Sequence, residues 1–181
     1  MLILLWKSGA TTQLSNRIQF EQWVPFPLER VFAFFSNPEN LPRIMPSASA
    51  TKLIALDLIA PPSPSGMASG KAAGVGTTII GSFRVIPFFP LRAQWIARIT
   101  EFEWNHHFSD VQDKGPFKSW RHRHEFAAEV RETPGTLVRD VIDYEVGFGI
   151  LGAAADALFV RRQMERTFAE RQQVLPKLLS N

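Results

Sequence analysis

The stretch Gly115-Pro-Phe-Lys-Ser-Trp-Arg-His-Arg-His-Glu-Phe126 decides how this chain is read. Trp120, His122, His124 and Phe126 fall on alternate positions, with Arg121, Arg123 and Glu125 between them. A period of two is that of a β-strand, whose successive side chains point to opposite faces. One face is therefore aromatic with two histidines, and the other is charged. Two explanations compete for the histidines. One is a metal or catalytic site; the other is the polar lining of a largely apolar pocket.

The next segment supports the strand. After the turn Arg131-Glu-Thr-Pro-Gly135, residues 136–148 alternate again. A hairpin that places Val130 opposite Thr136 sets Arg123 against Asp143 and Arg121 against Glu145, and opposite charges across a ladder are favourable. A slip of two residues keeps the same faces. Val138, Asp140, Ile142, Tyr144, Val146 and Phe148 then share the face of the histidines. That face is apolar with four polar interruptions: His122, His124, Asp140 and Tyr144.

Outward from this hairpin, Arg17–Val24 alternates as a first strand. Pro25 and Pro27 end it, and Leu28, Val31, Phe32 and Phe35 recur at helical spacing up to Asn37-Pro38. A second short helix fits between Pro38 and Pro46. Strands are expected around residues 51–59, 75–86, 90–104 and 106–113. The Pro-, Ser- and Gly-rich segment 60–74 reads as a mobile hairpin loop. From Leu151 the period lengthens to that of a helix, with Ala157, Val160, Met164, Phe168, Leu175 and Leu178 on one stripe and Pro176 near its end.

Composition narrows the function classes. In 181 residues there are fifteen Phe and one Tyr, a surplus of ring carbon without hydroxyls that suits a core or an apolar cavity wall. The 20 basic and 17 acidic residues leave a net charge of +3, too little to indicate a nucleic-acid partner. With no cysteine, disulfides and thiolate chemistry are excluded. That fits a reducing, cytoplasmic location. The apolar run in residues 1–6 lacks the basic lead-in and length of a signal peptide. Residues 1–13 are expected to be a leader, disordered or packed at an edge, or the product of an upstream start codon, with a single domain over 14–181.

Together, residues 32–46 (Phe-Ala-Phe-Phe-Ser-Asn-Pro-Glu-Asn-Leu-Pro-Arg-Ile-Met-Pro), 74–79, 108–126, 135–152 and 159–175 resemble the SRPBCC (START-like, helix-grip) superfamily. The likeness is to its small bacterial ligand-binding and polyketide-cyclase-like members. It implies an α+β fold: a curved antiparallel sheet of about seven strands wrapped around a long C-terminal helix, with two short helices after the first strand. It also implies a cavity between sheet and helix for an apolar or amphipathic small molecule. Superfamily members include carriers, aromatase/cyclases, and lipid or quinone binders, so the fold does not fix the chemistry.

The expected ligand-binding residues are Trp95, Trp120, His122, His124, Phe126, Asp140, Ile142, Tyr144, Val160, Met164 and Phe168. His124, His122, Asp140 and Tyr144 are the candidates for acid–base catalysis. His122 and His124 have usable metal-ligand spacing, with Asp140 as a third ligand and His106 or His107 more remote, but the segment shows no carboxylate cluster. No metal and no cofactor are expected. Asp110 and Gln112 are within reach of a ligand, but edge-strand solvation is the commoner explanation for such groups. Binding without catalysis is the first expectation, a cyclase- or dehydratase-like enzyme the second, and a membrane-docking lipid or quinone carrier the third.

Overall fold

Seven strands form one antiparallel sheet in the order β1-β7-β6-β5-β4-β3-β2. The computed structural model describes residues 16–63, 70–84, 91–147 and 156–180. The strands are β1 (Asn16–Val24), β2 (Lys52–Asp57), β3 (Thr78–Arg84), β4 (Arg92–Glu103), β5 (His107–Lys114), β6 (Ser119–Val130) and β7 (Pro134–Glu145). Helix α1 (Leu28–Ser36) follows β1, and α2 (Leu41–Ile44) sits between two single 3-10 turns. A π-type turn, Asp156–Val160, leads into the long helix α3 (Arg161–Ser180).

The expected α+β helix-grip architecture is therefore the observed one. Alternation in β6 and β7 decides which face is inside: His122, His124 and Phe126 are buried on one strand, and Val138, Asp140, Ile142 and Tyr144 on the other. Against that face pack α1 through Val31 and Phe32, and α3 through Met164, Phe168, Leu175 and Leu179. Phe168 stacks on Phe20 of β1, with ring centroids 4.1 Å apart and planes within 5°. Ala157 does not join this stripe; it is exposed, as are Leu158 and Phe159. Ile96 is half-buried, one position out of step with the inward Trp95 and Ala97.

The β6–β7 register differs from the expected one by two residues. Val130 pairs with Pro134, Arg121 with Asp143, and His124 with Asp140. The faces are unchanged because a two-residue slip preserves the side-chain period. The outer charges also reach beyond the hairpin. Arg17 of β1 takes Asp143 at 2.6 Å, and Arg121 takes Glu101 of β4 at 2.6 Å.

Pro176 lies inside α3 without ending it. A proline lacks the N–H that would bond the carbonyl four residues earlier. That carbonyl belongs to Gln172, and Gln22 Nε2 of β1 donates to it at 2.7 Å. In return Gln172 Nε2 donates to the Glu21 carbonyl at 3.0 Å. The last helix is thus clasped to the first strand at the point where its own ladder is broken.

The described parts of segment 60–74 are tied down, not loose. Ala72 and Ala73 are buried, Ala73 N–H donates to the Ser36 carbonyl at 2.9 Å, and Trp104 Nε1 donates to the Pro62 carbonyl at 2.6 Å. Residues 64–69, like the leader 1–13 and Phe148, lie outside the described residues.

Candidate functional site

Between the sheet, α1, α2 and α3 lies a cavity of about 390 Å³. Its size falls in the range of small-molecule sites. Phe34, Phe35 and Ile44 wall it on one side, Trp95, Ala97 and Ile99 on another, and Val160, Met164 and Phe168 along the helix. Asp110, His122, His124 and Arg171 form one polar end, with Trp120 beside them.

The end is built by register. Asp110 on β5 pairs with His122 on β6, and His124 on β6 pairs with Asp140 on β7, so three neighbouring strands turn these side chains to one face. Asp140 serves both imidazoles with one oxygen: His122 Nε2 lies 2.9 Å from Oδ1 and His124 Nδ1 lies 2.6 Å from it. The first contact is a hydrogen bond; the second is close but poorly aligned, which leaves His124 Nδ1 without a well-directed partner. The opposite ring nitrogens face Asp110 Oδ2, His122 Nδ1 at 3.8 Å and His124 Nε2 at 4.0 Å. The rings are 3.9 Å apart, and Phe108 covers His124 at 4.4 Å.

The electrostatics follow from burial and from these partners. Burial pushes the Asp110 carboxyl up, against the charges of His122 and Arg171. Burial would also raise Asp140, but the charge of His124, the hydrogen bond from His122 and the close approach of His124 outweigh it and hold Asp140 well below the usual carboxylate range. His122 is pushed down, first by burial and then by the charge of His124. Arg171 is buried and makes no hydrogen bond within the described residues; its guanidinium lies 4.4 Å over the Phe168 ring, in the field of Asp140 and Asp110.

Of the eleven residues singled out from sequence, Trp95, Trp120, His122, His124, Val160, Met164 and Phe168 line the cavity. Phe126, Asp140, Ile142 and Tyr144 do not. Phe126 is packed on Phe32 and Phe35. Asp140 stands behind the imidazoles. Ile142 and Tyr144 are completely buried, with Met164 and Phe168, between the sheet and α3. The Tyr144 hydroxyl donates to Asp156 Oδ1 at 2.7 Å and is spent there.

Asp110 and Arg171 were missed. Asp110 is not on an edge, because β5 lies mid-sheet. It shares a face with Phe108, whose partner is His124. Arg171 fills the gap in the helical stripe between Phe168 and Leu175. Gln112 was also misassigned to solvent: its side-chain amide donates to the Phe117 carbonyl at 2.8 Å and spans the β5–β6 turn. A Cβ at Gly115 would come within 2.1 Å of Gln112 Oε1, so the glycine makes that bridge possible.

The protein family described as polyketide cyclase / dehydrase and lipid transport matches residues 24–173. The chain belongs to this family. Solved structures with the same fold accompany the polyketide cyclase match. A Chromobacterium violaceum protein superposes with a TM-score of 0.65 at 14% identity, covering 92% of this chain and 98% of its own. A START superfamily protein from Mycobacterium smegmatis gives 0.60 at 13%, covering 91% and 97%. Norcoclaurine synthase from Thalictrum flavum, a point mutant in complex with a transition-state analogue, gives 0.59 at 15%, covering 92% and 94%. At these identities the likeness is one of fold. No curated protein matches the sequence.

Proposed function

We propose that this polyketide cyclase family member binds an apolar or amphipathic small molecule in the cavity. The guest's polar end lies against Trp120, His122, His124 and Asp110. The observation that carries this reading is the make-up of the cavity wall: aromatic and aliphatic side chains from the sheet and all three helices, with Asp110, His122, His124 and Arg171 clustered at one end and Arg84 lining it elsewhere. Apolar burial supplies affinity, and a few fixed polar groups orient the guest. The Trp120 indole N–H is buried at the same end and acts on the Asp110 carboxyl, a donor within the polar cluster.

A second reading is a cyclase- or dehydratase-like enzyme in the same cavity. It is favoured by the way Asp140 fixes both imidazoles while their other nitrogens face the cavity-lining Asp110. A proton donor or acceptor so held is positioned for general acid–base work.

Native mass spectrometry of the freshly purified protein tests binding; a copurifying apolar or amphipathic molecule is expected. His124→Phe separates the two readings. If His124 only orients the guest, affinity falls by about one hydrogen bond, ~1 kcal/mol. If it moves a proton, turnover falls about a hundredfold with little change in binding. A guest bound equally well by His124→Phe and by Trp120→Phe would refute the assigned orientation. Among the described residues, no helix is long and apolar enough to cross a membrane.

A further inference from the structure

We propose that Asp110, His122 and His124 bind one divalent transition metal, zinc foremost, with Asp140 as the outer carboxylate that orients both imidazoles. The expectation of no metal considered Asp140 as third ligand and saw no carboxylate cluster. The fold reverses those roles: Asp140 stands behind the rings and Asp110 in front of them.

The geometry carries the proposal. The nitrogens beside an ionised Asp140 are the protonated ones, so in each neutral ring the opposite nitrogen presents a bare lone pair. Those lone pairs, on His122 Nδ1 and His124 Nε2, face Asp110 Oδ2 at 3.8 and 4.0 Å. These distances are too long for hydrogen bonds, and three acceptors turned on one point repel unless a cation lies between them. One ligand atom from each residue can be chosen so that all lie within 4.8 Å of one another. Ligands of a tetrahedral zinc are about 3.4 Å apart, so the three need draw in only modestly. They stand on β5 and β6 in mid-sheet, and a carboxylate behind a ligating imidazole is the usual means of fixing its tautomer.

Asp110, His122 and His124 also line the cavity, so a fourth coordination position opens toward its guest. The charged neighbour from α3 is Arg171. Two carboxylates and one guanidinium leave one negative charge; a dication would make it one positive. An anionic oxygen, from hydroxide or from the guest, is therefore favoured at the fourth position. The competing occupant of the same point is a single proton.

The proposal does not rest on the identity of any guest, and its test uses none. Chelator-treated full-length protein is titrated with Co²⁺, followed by visible d–d absorption, and then with Zn²⁺ in competition. Saturable uptake of one ion per chain is expected. Asp110→Asn and His122→Gln should each weaken it at least tenfold, and Asp140→Asn tenfold to a hundredfold. His107→Gln, on the outer face beside Glu101 and Glu103, should leave it unchanged. Where a variant fails to fold, X-ray absorption of the wild-type Co²⁺ complex decides: two imidazoles in the first shell are expected. No saturable uptake, uptake indifferent to Asp110→Asn in folded protein, or a shell without two imidazoles would overturn the site.

Discussion

His124 stands directly opposite Asp140 across the β6–β7 ladder, and its Nδ1 comes within 2.6 Å of the oxygen that His122 Nε2 also uses. One carboxylate thereby sets the orientation of two imidazoles from the side away from the cavity. It leaves their remaining nitrogens turned toward Asp110 and the guest space.

Acid should unfold metal-free protein in two stages. His122 is held below its ordinary value, so stability begins to fall as the unfolded chain takes up a proton near pH ~6.5. Asp140 is depressed, so its contribution is complete above its unfolded value of about 4 and is lost as pH drops through the lower folded value. Urea midpoints measured against pH should fall through both ranges, less steeply where the raised Asp110 carboxyl takes up its proton first in the folded protein and so works in the opposite sense. Asp140→Asn should flatten the second; an unchanged slope there would refute the assignment.

Tyr144 is the only tyrosine, so phenolate absorbance reports on it alone. Burial, with the hydrogen bond to Asp156 and that group's charge, pushes its hydroxyl far up. The raised value stabilises the fold below the unfolded pKa of about 10, and that stabilisation is lost as pH rises toward the folded value. No phenolate should appear near pH ~10 before the protein unfolds. Asp156→Asn should bring its appearance to lower pH.

Gln22→Ala should cost about 1 kcal/mol by orphaning the Gln172 carbonyl. Pro176→Ala in the same chain supplies the missing N–H and should recover much of that loss. Strictly additive effects in the double-mutant cycle would show that the two residues do not share this carbonyl.

Phe168→Ala removes a buried ring stacked on Phe20 and placed over the cavity wall. A loss of ~3–5 kcal/mol in denaturant unfolding is expected. A loss below about 1 kcal/mol would mean that the ring is not enclosed.

The period-two pattern in Trp120–Phe126 and Val138–Tyr144 was enough to put the histidines and Asp140 on one inward face. The register escaped by two residues because only charge pairing within the hairpin constrained it. Asp143 and Arg121 instead spend themselves on Arg17 of β1 and Glu101 of β4, neighbours that become visible only once the strand order is known. Asp110 was hidden for the same reason: nothing local tells a central strand from an edge. Arg171 looked like one more cation on a charged helix, yet it occupies the apolar stripe three residues after Phe168. Tyr144 lay on the right face but too deep, under α3 instead of in the cavity wall.

The strand order also bears on how the molecule is made. Among the described residues β1 comes first in the chain and pairs with β7 alone, so Asn16 must wait for Tyr144. Until then Ile18 and Phe20 have no sheet to join, and the Gln22–Gln172 clasp cannot close before α3 is complete. Loop closure over nearly the whole chain precedes the β1–β7 contacts that reward it, whereas β2 to β7 pair as consecutive neighbours. Synthesis from the N-terminus therefore lets the meander of β2 to β6 pair before β1 has a place: the grip closes when the last helix arrives.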